Sequence, residues 1–451
     1  MLTPLPPLRS GIAQYSIDLL RAAAGRWSID VIPEPGSNAA SIEGLDGIRA
    51  VSFAGPGTGP AVIHVGNSDF HHHAFEALAN PGHLIVLHDT ALHSGRLVGF
   101  VKRHATDEYR ALMRNLYGAD GERAADTILA GQSGSLMLQY PLIEDLVERA
   151  AGVIVHSEWA AGLVRERVPH ATVVRVPMGV PMPHCIDQQE AREHLGLPSG
   201  AYVIASITHV NPYKRIDTVL RALQRLVRRV PEAVLLVAGS VSPGIDLLAD
   251  ADLYGVSRHV RLLGYVSDDD ARIVARAADV CVNLRYPSAG ETSASLLRML
   301  GAGRPVIVSD DGPALEIDLG CVVRIPVDSL EDEYLSEVLA MLAQSEDLRA
   351  TAGEAARRYV RRQHGMDVAL NAYRSAIQTV LTIDPGEIGQ FDVDEPAPAP
   401  REAMSAVAIA DEWRAGPIAE ATVNAAAALG LGEHTSTLRT VVRRWRELGL
   451  S

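Results

Sequence analysis

At 451 residues the chain is long enough for two or three domains with full cores, and 47% hydrophobic with 21% charged residues is an ordinary globular composition. Its 41 Lys and Arg against 55 Asp and Glu give a net charge of -14, which excludes a chain-wide electrostatic footprint for nucleic acid or anionic lipid and leaves only local basic patches. The three cysteines, Cys185, Cys281 and Cys321, lie far apart, and no apolar run approaches the roughly 20 residues a membrane span needs, so a reducing, cytoplasmic setting without a Cys-rich metal site is expected.

Residues 1–25 begin as extended, Pro-rich chain and pass into a helix whose Ile12, Ile17, Leu19 and Leu20 suit one buried face. Ser10 and Gly11 mark the turn, where a glycine lets a ligand close to the backbone. Only Met1 to Thr3 precede Pro4, so a first strand there is either very short or starts upstream. Short apolar runs follow at Ile29–Ile32, Val51–Phe53, Val62–Val65, Leu84–Leu87 and Val153–Val155, the pattern of a parallel sheet covered on both faces by helices. Ligands of such sheets bind beyond the carboxyl ends of the strands, which points at Gly66-Asn67, His88-Asp89 and His156-Ser157.

His88 ends a buried strand in Leu-His-Asp-Thr, where an imidazole can donate to developing charge or can simply bond a nearby carbonyl. The triplet His71-His72-His73 does not make a metal site, because consecutive side chains do not converge on a strand or a helix. A solvated helix start is expected there. Residues 100–150 are helical and mixed in charge, with Lys102, Arg103 and His104 at the start of the stretch.

Four prolines and several polar turns between 177 and 200 predict an interdomain linker. The strand pattern then restarts at Val203–Ile207, Val234–Val237 and Val260–Leu263. Lys214, in Asn-Pro-Tyr-Lys-Arg, stands at a predicted helix start just after a strand, where a lysine opposes the helix dipole unless an anion compensates. Between Ala278 and Asp310 comes a strand from Val280 to Leu284, a turn at Pro287 and Gly290, a helix from about Thr292, a Gly-Ala-Gly break and a strand from Pro305 to Val308. Glu291 sits at the mouth of that helix, and Thr292, Ser293, Ala294 and Ser295 are small enough for backbone N–H groups to approach a phosphate. A carboxylate that accepts from hydroxyls beside a phosphate site suits a ligand carrying phosphate and sugar together.

Pro287, Ser288, Glu291, Gly303, Pro305 and Val306 resemble the C-terminal signature of retaining glycosyltransferases of the GT-B fold, the group 1 or family 4 type. This resemblance implies an α/β protein of two Rossmann-like domains with parallel sheets facing across a cleft, plus a helical C-terminal extension. It implies that Glu291 contacts the donor sugar, that Lys214 and the position of His209 grip its diphosphate, and that Val266, in Gly264-Tyr265-Val266, meets the base through its backbone. It also implies that Gly11 faces the diphosphate and acceptor, and that His88 lies near the sugar or the leaving phosphate. Two positions depart from the pattern. Arg298 stands where the second Glu of the Glu-x7-Glu signature belongs, and His209 stands where an Arg belongs, with Arg215 as the spare cation.

The domains expected are 1–180, on the acceptor side, and 181–382, on the nucleotide-sugar side, with the helix Val368–Leu381 crossing back onto the first. An acidic Pro/Ala linker at 383–400 and a helical extension at 401–451 follow. The extension carries an apolar stripe of Leu438, Val441, Val442, Trp445 and Leu448 among arginines, suited to the protein body, a second copy or a membrane surface. The function implied is metal-independent, retaining transfer of a hexose from a nucleotide-diphosphate sugar to a glycan, lipid-linked or other hydroxyl acceptor, with no further cofactor. A decayed site kept for binding or scaffolding and a sugar-nucleotide epimerase are the alternatives.

Overall fold

The computed structural model describes residues 1–53, 60–182 and 186–381. Cys185, the acidic linker and the C-terminal extension lie outside the described residues. The described residues divide into two α/β units: Met1–Pro181 with Ala289–Ala294 and residues 363–381, and residues 182 and 186–288 with Ser295–Arg362.

The first unit holds seven parallel strands, β1 (Leu2–Thr3), β2 (Ile29–Pro33), β3 (Ile48–Ala50), β4 (Val62–Val65), β5 (Leu84–Leu87), β6 (Gly152–Val155) and β7 (Val173–Arg175), in the order β3-β2-β1-β4-β5-β6-β7. The runs LIVL and GVIV are wholly buried, as expected of strands covered on both faces. The first strand is two residues long, yet it lies mid-sheet between β2 and β4. The run Val51–Phe53 is not a strand: β3 sits earlier, in register with β2 through Ile29 with Ile48 and Val31 with Ala50. As an edge strand it tolerates the exposed Arg49, which pairs with Asp30. Phe53 instead stacks on His73, ring centroids 4.4 Å apart.

The helix Met366–Leu381 packs in this first unit, so among the described residues the second unit ends at Arg362, short of the expected 382. Tyr373 on that helix is buried and meets the Tyr15 hydroxyl at 3.1 Å. Gly179 fits where a Cβ would come within 2.7 Å of Ala369.

The second unit holds six parallel strands, β8 (Tyr202–Ile207), β9 (Ala233–Ala238), β10 (Val260–Gly264), β11 (Val280–Asn283), β12 (Val306–Ser309) and β13 (Val322–Ile325), in the order β10-β9-β8-β11-β12-β13. The strongly amphipathic helix Ile216–Leu226 buries Val219, Leu220, Leu223 and Leu226 in the same core as Leu335, Val338, Leu339 and Leu342 of the helix Glu331–Gln344. The predicted linker contains a helix, Gln188–His194, capped by Asp187, whose carboxylate accepts from the Gln189 N–H at 2.8 Å. Each strand order reverses at one place, beside β1 and β4 in the first sheet and beside β8 and β11 in the second, and ligands of open α/β sheets bind at such points.

Candidate functional site

In the first unit the helix Gly11–Ala23 starts on a Ser10 cap, whose hydroxyl accepts from the Ala13 N–H at 3.0 Å. A Cβ on Gly11 would meet no atom within 4 Å, so the chain's own packing does not demand glycine there. Gly66 differs: a Cβ there would strike Ile12 at 2.2 Å and Asp89 at 2.9 Å. Asp89 accepts from the Asn67 N–H at 2.8 Å, and Asn67 accepts in turn from the Gly95 N–H at 2.8 Å. These bonds tie the loops after β4 and β5 together.

His88, at the end of β5, is buried within a cluster of imidazoles and phenols. His64, inside β4, places Nδ1 3.0 Å from His88 Nε2. The His156 ring, just past β6, lies 4.9 Å from that of His88, and Tyr15 meets both edge-on at 5.3 and 5.5 Å. Burial holds His64 and His88 well below the usual histidine range and brings His156 down to about 4. All three are neutral at pH 7. Side-chain bonding to a carbonyl describes His156, whose Nδ1 donates to Val176 O at 2.9 Å, rather than His88.

The His71–His73 stretch is not a solvated helix start. His71 is buried, accepts from the Gly66 N–H at 3.2 Å and is lowered to about 4 by burial, while His72 is exposed. The N–H groups of His73 and Ala74 donate to the buried carboxylate of Glu34 at 2.7 and 2.8 Å. Burial raises Glu34 to about 7 despite those two bonds. Among the described residues no group of three or more His, Cys, Asp or Glu side chains is placed to hold a metal ion.

Residues 289–294 also fall in the first unit, which brings Glu291 toward the strand end that carries His88. Thr90, two residues past His88, donates from its N–H and hydroxyl to Ala289 O at 3.1 and 2.6 Å. Gly290 has φ +79°, and a Cβ on it would meet Thr90 Oγ1 at 2.2 Å. Glu291 then accepts from the Ala289 N–H at 3.0 Å. The helix begins at Ala294, two residues later than expected, so Thr292 and Ser293 precede it, with Ser293 at the position serine favours as a cap. Thr292 Oγ1 is buried and has no hydrogen-bond partner among the described residues.

The second unit holds the remaining candidates. His209, on the loop after β8, is exposed and has Ser240 Oγ at 2.8 Å from Nδ1 and Ser242 Oγ at 2.9 Å from Nε2. Lys214 is not a solvated lysine: it is 8% exposed, with its ammonium 4.4 Å from the Tyr213 ring centroid. It lies in a single tight turn, Pro212–Lys214, and the helix starts only at Ile216 because Arg215 takes the left-handed conformation at φ 53°. Arg215 is not a spare cation, since its Nε reaches the buried carboxylate of Glu331 at 2.7 Å. Arg298 pairs with Asp268 at 2.5 Å, and Met299 beside it is wholly buried. Val266 lies in the turn after β10, behind Gly264 at φ +65°. The loop before Ala289 is pinned by Ser309, which accepts from the Arg285 N–H at 3.0 Å, and by Asp311, which accepts from the Ser288 N–H at 2.9 Å.

Residues 187–359 match the model of the family described as glycosyl transferases group 1. That span contains His209, Lys214, Val266, Glu291 and Arg298; Gly11 and His88 lie outside it. Among solved structures, sucrose-phosphate synthase from Thermosynechococcus elongatus aligns over 83% of this chain and 94% of its own, with TM-score 0.58 and 18% identity. Anabaena HepE in complex with UDP and glucose aligns over 85% and 99%, with TM-score 0.57 and 14% identity. The fold is GT-B. Among curated proteins, the D-inositol 3-phosphate glycosyltransferase of Salinispora arenicola is 32% identical over 38% of this chain and 40% of its own length. That of Rhodococcus jostii is 27% identical over 67% and 68%. The chain thus spans less than half the length of the first of these relatives.

The GT-B candidates divide between the units: Gly11, His88, Glu291, Thr292, Ser293 and Ala294 in the first, His209, Lys214 and Val266 in the second. His64, Tyr15 and Glu34 escaped the sequence reading, whereas His156 was among its strand-end positions. The available signal was a histidine inside the apolar strand VIHV, which is costly to bury unless it has a partner.

Proposed function

We propose that the chain is a retaining glycosyltransferase that moves a hexose from a nucleoside diphosphate sugar to a hydroxyl acceptor in glycan or glycoconjugate synthesis. The observation that carries this is Glu291 on a strand–loop–helix–strand unit, one residue before the orphaned Thr292 hydroxyl and three before the helix Ala294–Gly301, inside the segment that matches the family. The helix start and Lys214 suit the diphosphate. Glu291 accepts from sugar hydroxyls and positions the ring; it is not a covalent nucleophile. The acceptor oxygen attacks the anomeric carbon from the face the diphosphate leaves, the carbon–oxygen bond to the diphosphate breaks, and a leaving-phosphate oxygen takes the acceptor proton. Charge on the departing group falls on Lys214, the helix dipole and hydrogen-bond donors, so no metal ion or other cofactor is required. Transfer takes place in the cytoplasm, to acceptors free or at a membrane surface; among the described residues no helix is long and apolar enough to cross a membrane.

Thermal stability against a panel of nucleoside diphosphates and nucleotide sugars tests this. A ligand at 100 times its Kd adds about 2.7 kcal/mol. One nucleotide stabilises the wild type, Lys214→Ala abolishes the effect, and Glu291→Ala loses only the increment due to the sugar. D-inositol 3-phosphate, named for the curated relatives, heads the acceptor panel. The engagement of His209 by two serines and of Arg298 by Asp268 favours a second reading, a binding protein without turnover. Donor binding without transfer to any acceptor supports that reading, and sugar epimerised without an acceptor supports an epimerase.

A further inference from the structure

His88 is held by a residue outside every motif of the sequence. The bond between His64 Nδ1 and His88 Nε2 is 3.0 Å long, and both rings are buried. The other neighbours do not compete for it. His156 spends its Nδ1 hydrogen on Val176 O, and the Tyr15 hydroxyl is engaged with Tyr373 at 3.1 Å. Burial and the mutual repulsion of the imidazoles keep both histidines uncharged at neutral pH, so each carries one ring hydrogen. Nε2 of His88 faces His64, so the nitrogen left to face a ligand is Nδ1.

Two proton arrangements satisfy the bond. In the first, His88 donates from Nε2, which leaves its Nδ1 a bare lone pair and puts the His64 hydrogen on Nε2. That atom is buried and has no partner among the described residues. In the second, His64 donates from Nδ1, its Nε2 keeps a lone pair, and His88 carries its hydrogen on Nδ1. The second strands an acceptor instead of an N–H, the less costly of the two orphans.

We propose that His64 is a positioning residue: by donating its Nδ1–H to His88 Nε2 it holds His88 in the Nδ1–H tautomer, so that His88 offers a hydrogen-bond donor, not a base, beyond β5. The inference rests on the proposed glycosyl transfer, in which His88 donates to an oxygen of the donor sugar or its departing phosphate. A neutral imidazole serves there only from the nitrogen that bears the hydrogen.

The test is ring-nitrogen NMR of the full chain with 15N-labelled histidine at pH 7.5, beside turnover of variants. His64 and His88 are each expected to be protonated at Nδ1 and bare at Nε2; a hydrogen on His88 Nε2 overturns the proposal. His64→Asn, whose amide restores an N–H near the former Nδ1, should keep kcat within about threefold, whereas His64→Leu lowers kcat about tenfold at unchanged KM and mixes the His88 tautomers. Equal losses in the two variants, with folding intact by circular dichroism, also overturn it. The wild-type spectrum decides even if a variant fails to fold. His88→Ala separates this proposal from the reading beneath it: wild-type transfer by that variant removes the role of His88 in transfer and leaves the tautomer assignment standing.

Discussion

The two sheets share one topology, yet the loops at their carboxyl ends hold polar groups in opposite states. At the carboxyl ends of β4, β5 and β6 the buried groups are neutral rings, His64 within its strand and His88 and His156 just beyond theirs, packed against Tyr15. Beyond β8, β10, β11 and β13 the buried and half-buried groups are ions: Arg215 with Glu331, Arg298 and Arg272 with Asp268, and Lys214 over Tyr213. The same architecture thus supports two electrostatic settings, one of uncharged hydrogen-bonding rings and one of cations held beside carboxylates or an aromatic ring. The first suits proton-bearing donors near a reacting centre; the second suits anchoring of an anion.

The largest expected effect is on the ionic side. Glu331 is 1% exposed, and Arg215→Met leaves its carboxylate buried without the cation. Removing one member of a buried pair costs about 3–5 kcal/mol. Urea unfolding of the second unit, followed by hydrogen exchange, should show a loss of that size. A loss below about 1 kcal/mol would mean that the second unit does not depend on paired charge, and the contrast with the first fails.

Acid treats the two units differently. His71 and His156, lowered from the ordinary 6.5 to about 4, give stability that is complete above pH 6.5 and is lost as pH falls toward 4. Between pH 7.5 and 5 they lose about 4 kcal/mol together. Glu34, raised to about 7, works the other way: its folded form takes up a proton first and returns about 2 kcal/mol over the same range. His64 and His88 shift in the direction of the other histidines and add to the loss. Hydrogen exchange at pH 5 should therefore open the first unit before the second, and Glu34→Gln should raise the stability of the first unit at pH 7.5 while steepening its acid loss. Equal acid sensitivity of the two units would break the contrast.

Function should split the same way. Lys214→Ala is expected to weaken nucleoside diphosphate binding about 100-fold by calorimetry, with the first unit untouched. His88→Ala should lower kcat about 100-fold and leave nucleotide affinity within about twofold. If His88→Ala weakened the nucleotide as strongly as Lys214→Ala, the assignment of chemistry to one side and anchoring to the other would be wrong.

Most strands and the strand-end candidates were legible because a buried parallel strand is a short, continuous apolar run, and Val62–Val65 and Leu84–Leu87 read true to the residue. The edge strands of the first sheet were not, although the edge strand β10 of the second was. β3 carries exposed Arg49, and β7 is only partly buried, so neither shows such a run. The helix Gln188–His194 was hidden by the prolines around it, and the start at Ile216 by the left-handed Arg215, a conformation that no propensity assigns to arginine. Partnership was the least legible layer. Arg215 reaches Glu331 across more than a hundred residues, and His64 reaches His88 across a strand pair; periodicity reports burial but not which buried polar groups meet.

Two glycines give the smallest effects and the sharpest separation of packing from function. Gly290 is fixed by the chain itself: at φ +79°, with Thr90 Oγ1 2.2 Å from any Cβ, Gly290→Ala should cost about 2 kcal/mol through the left-handed backbone and the disturbed Thr90 bond to Ala289. Gly11 is not so fixed. It opens a helix, nothing lies within 4 Å of a Cβ there, and alanine is the better helix former, so Gly11→Ala should leave stability unchanged or raise it by about 0.5 kcal/mol. Any fall in donor binding or turnover in that variant then belongs to what approaches the backbone from outside the chain. If Gly11→Ala binds and turns over as the wild type does, Gly11 is only a helix start.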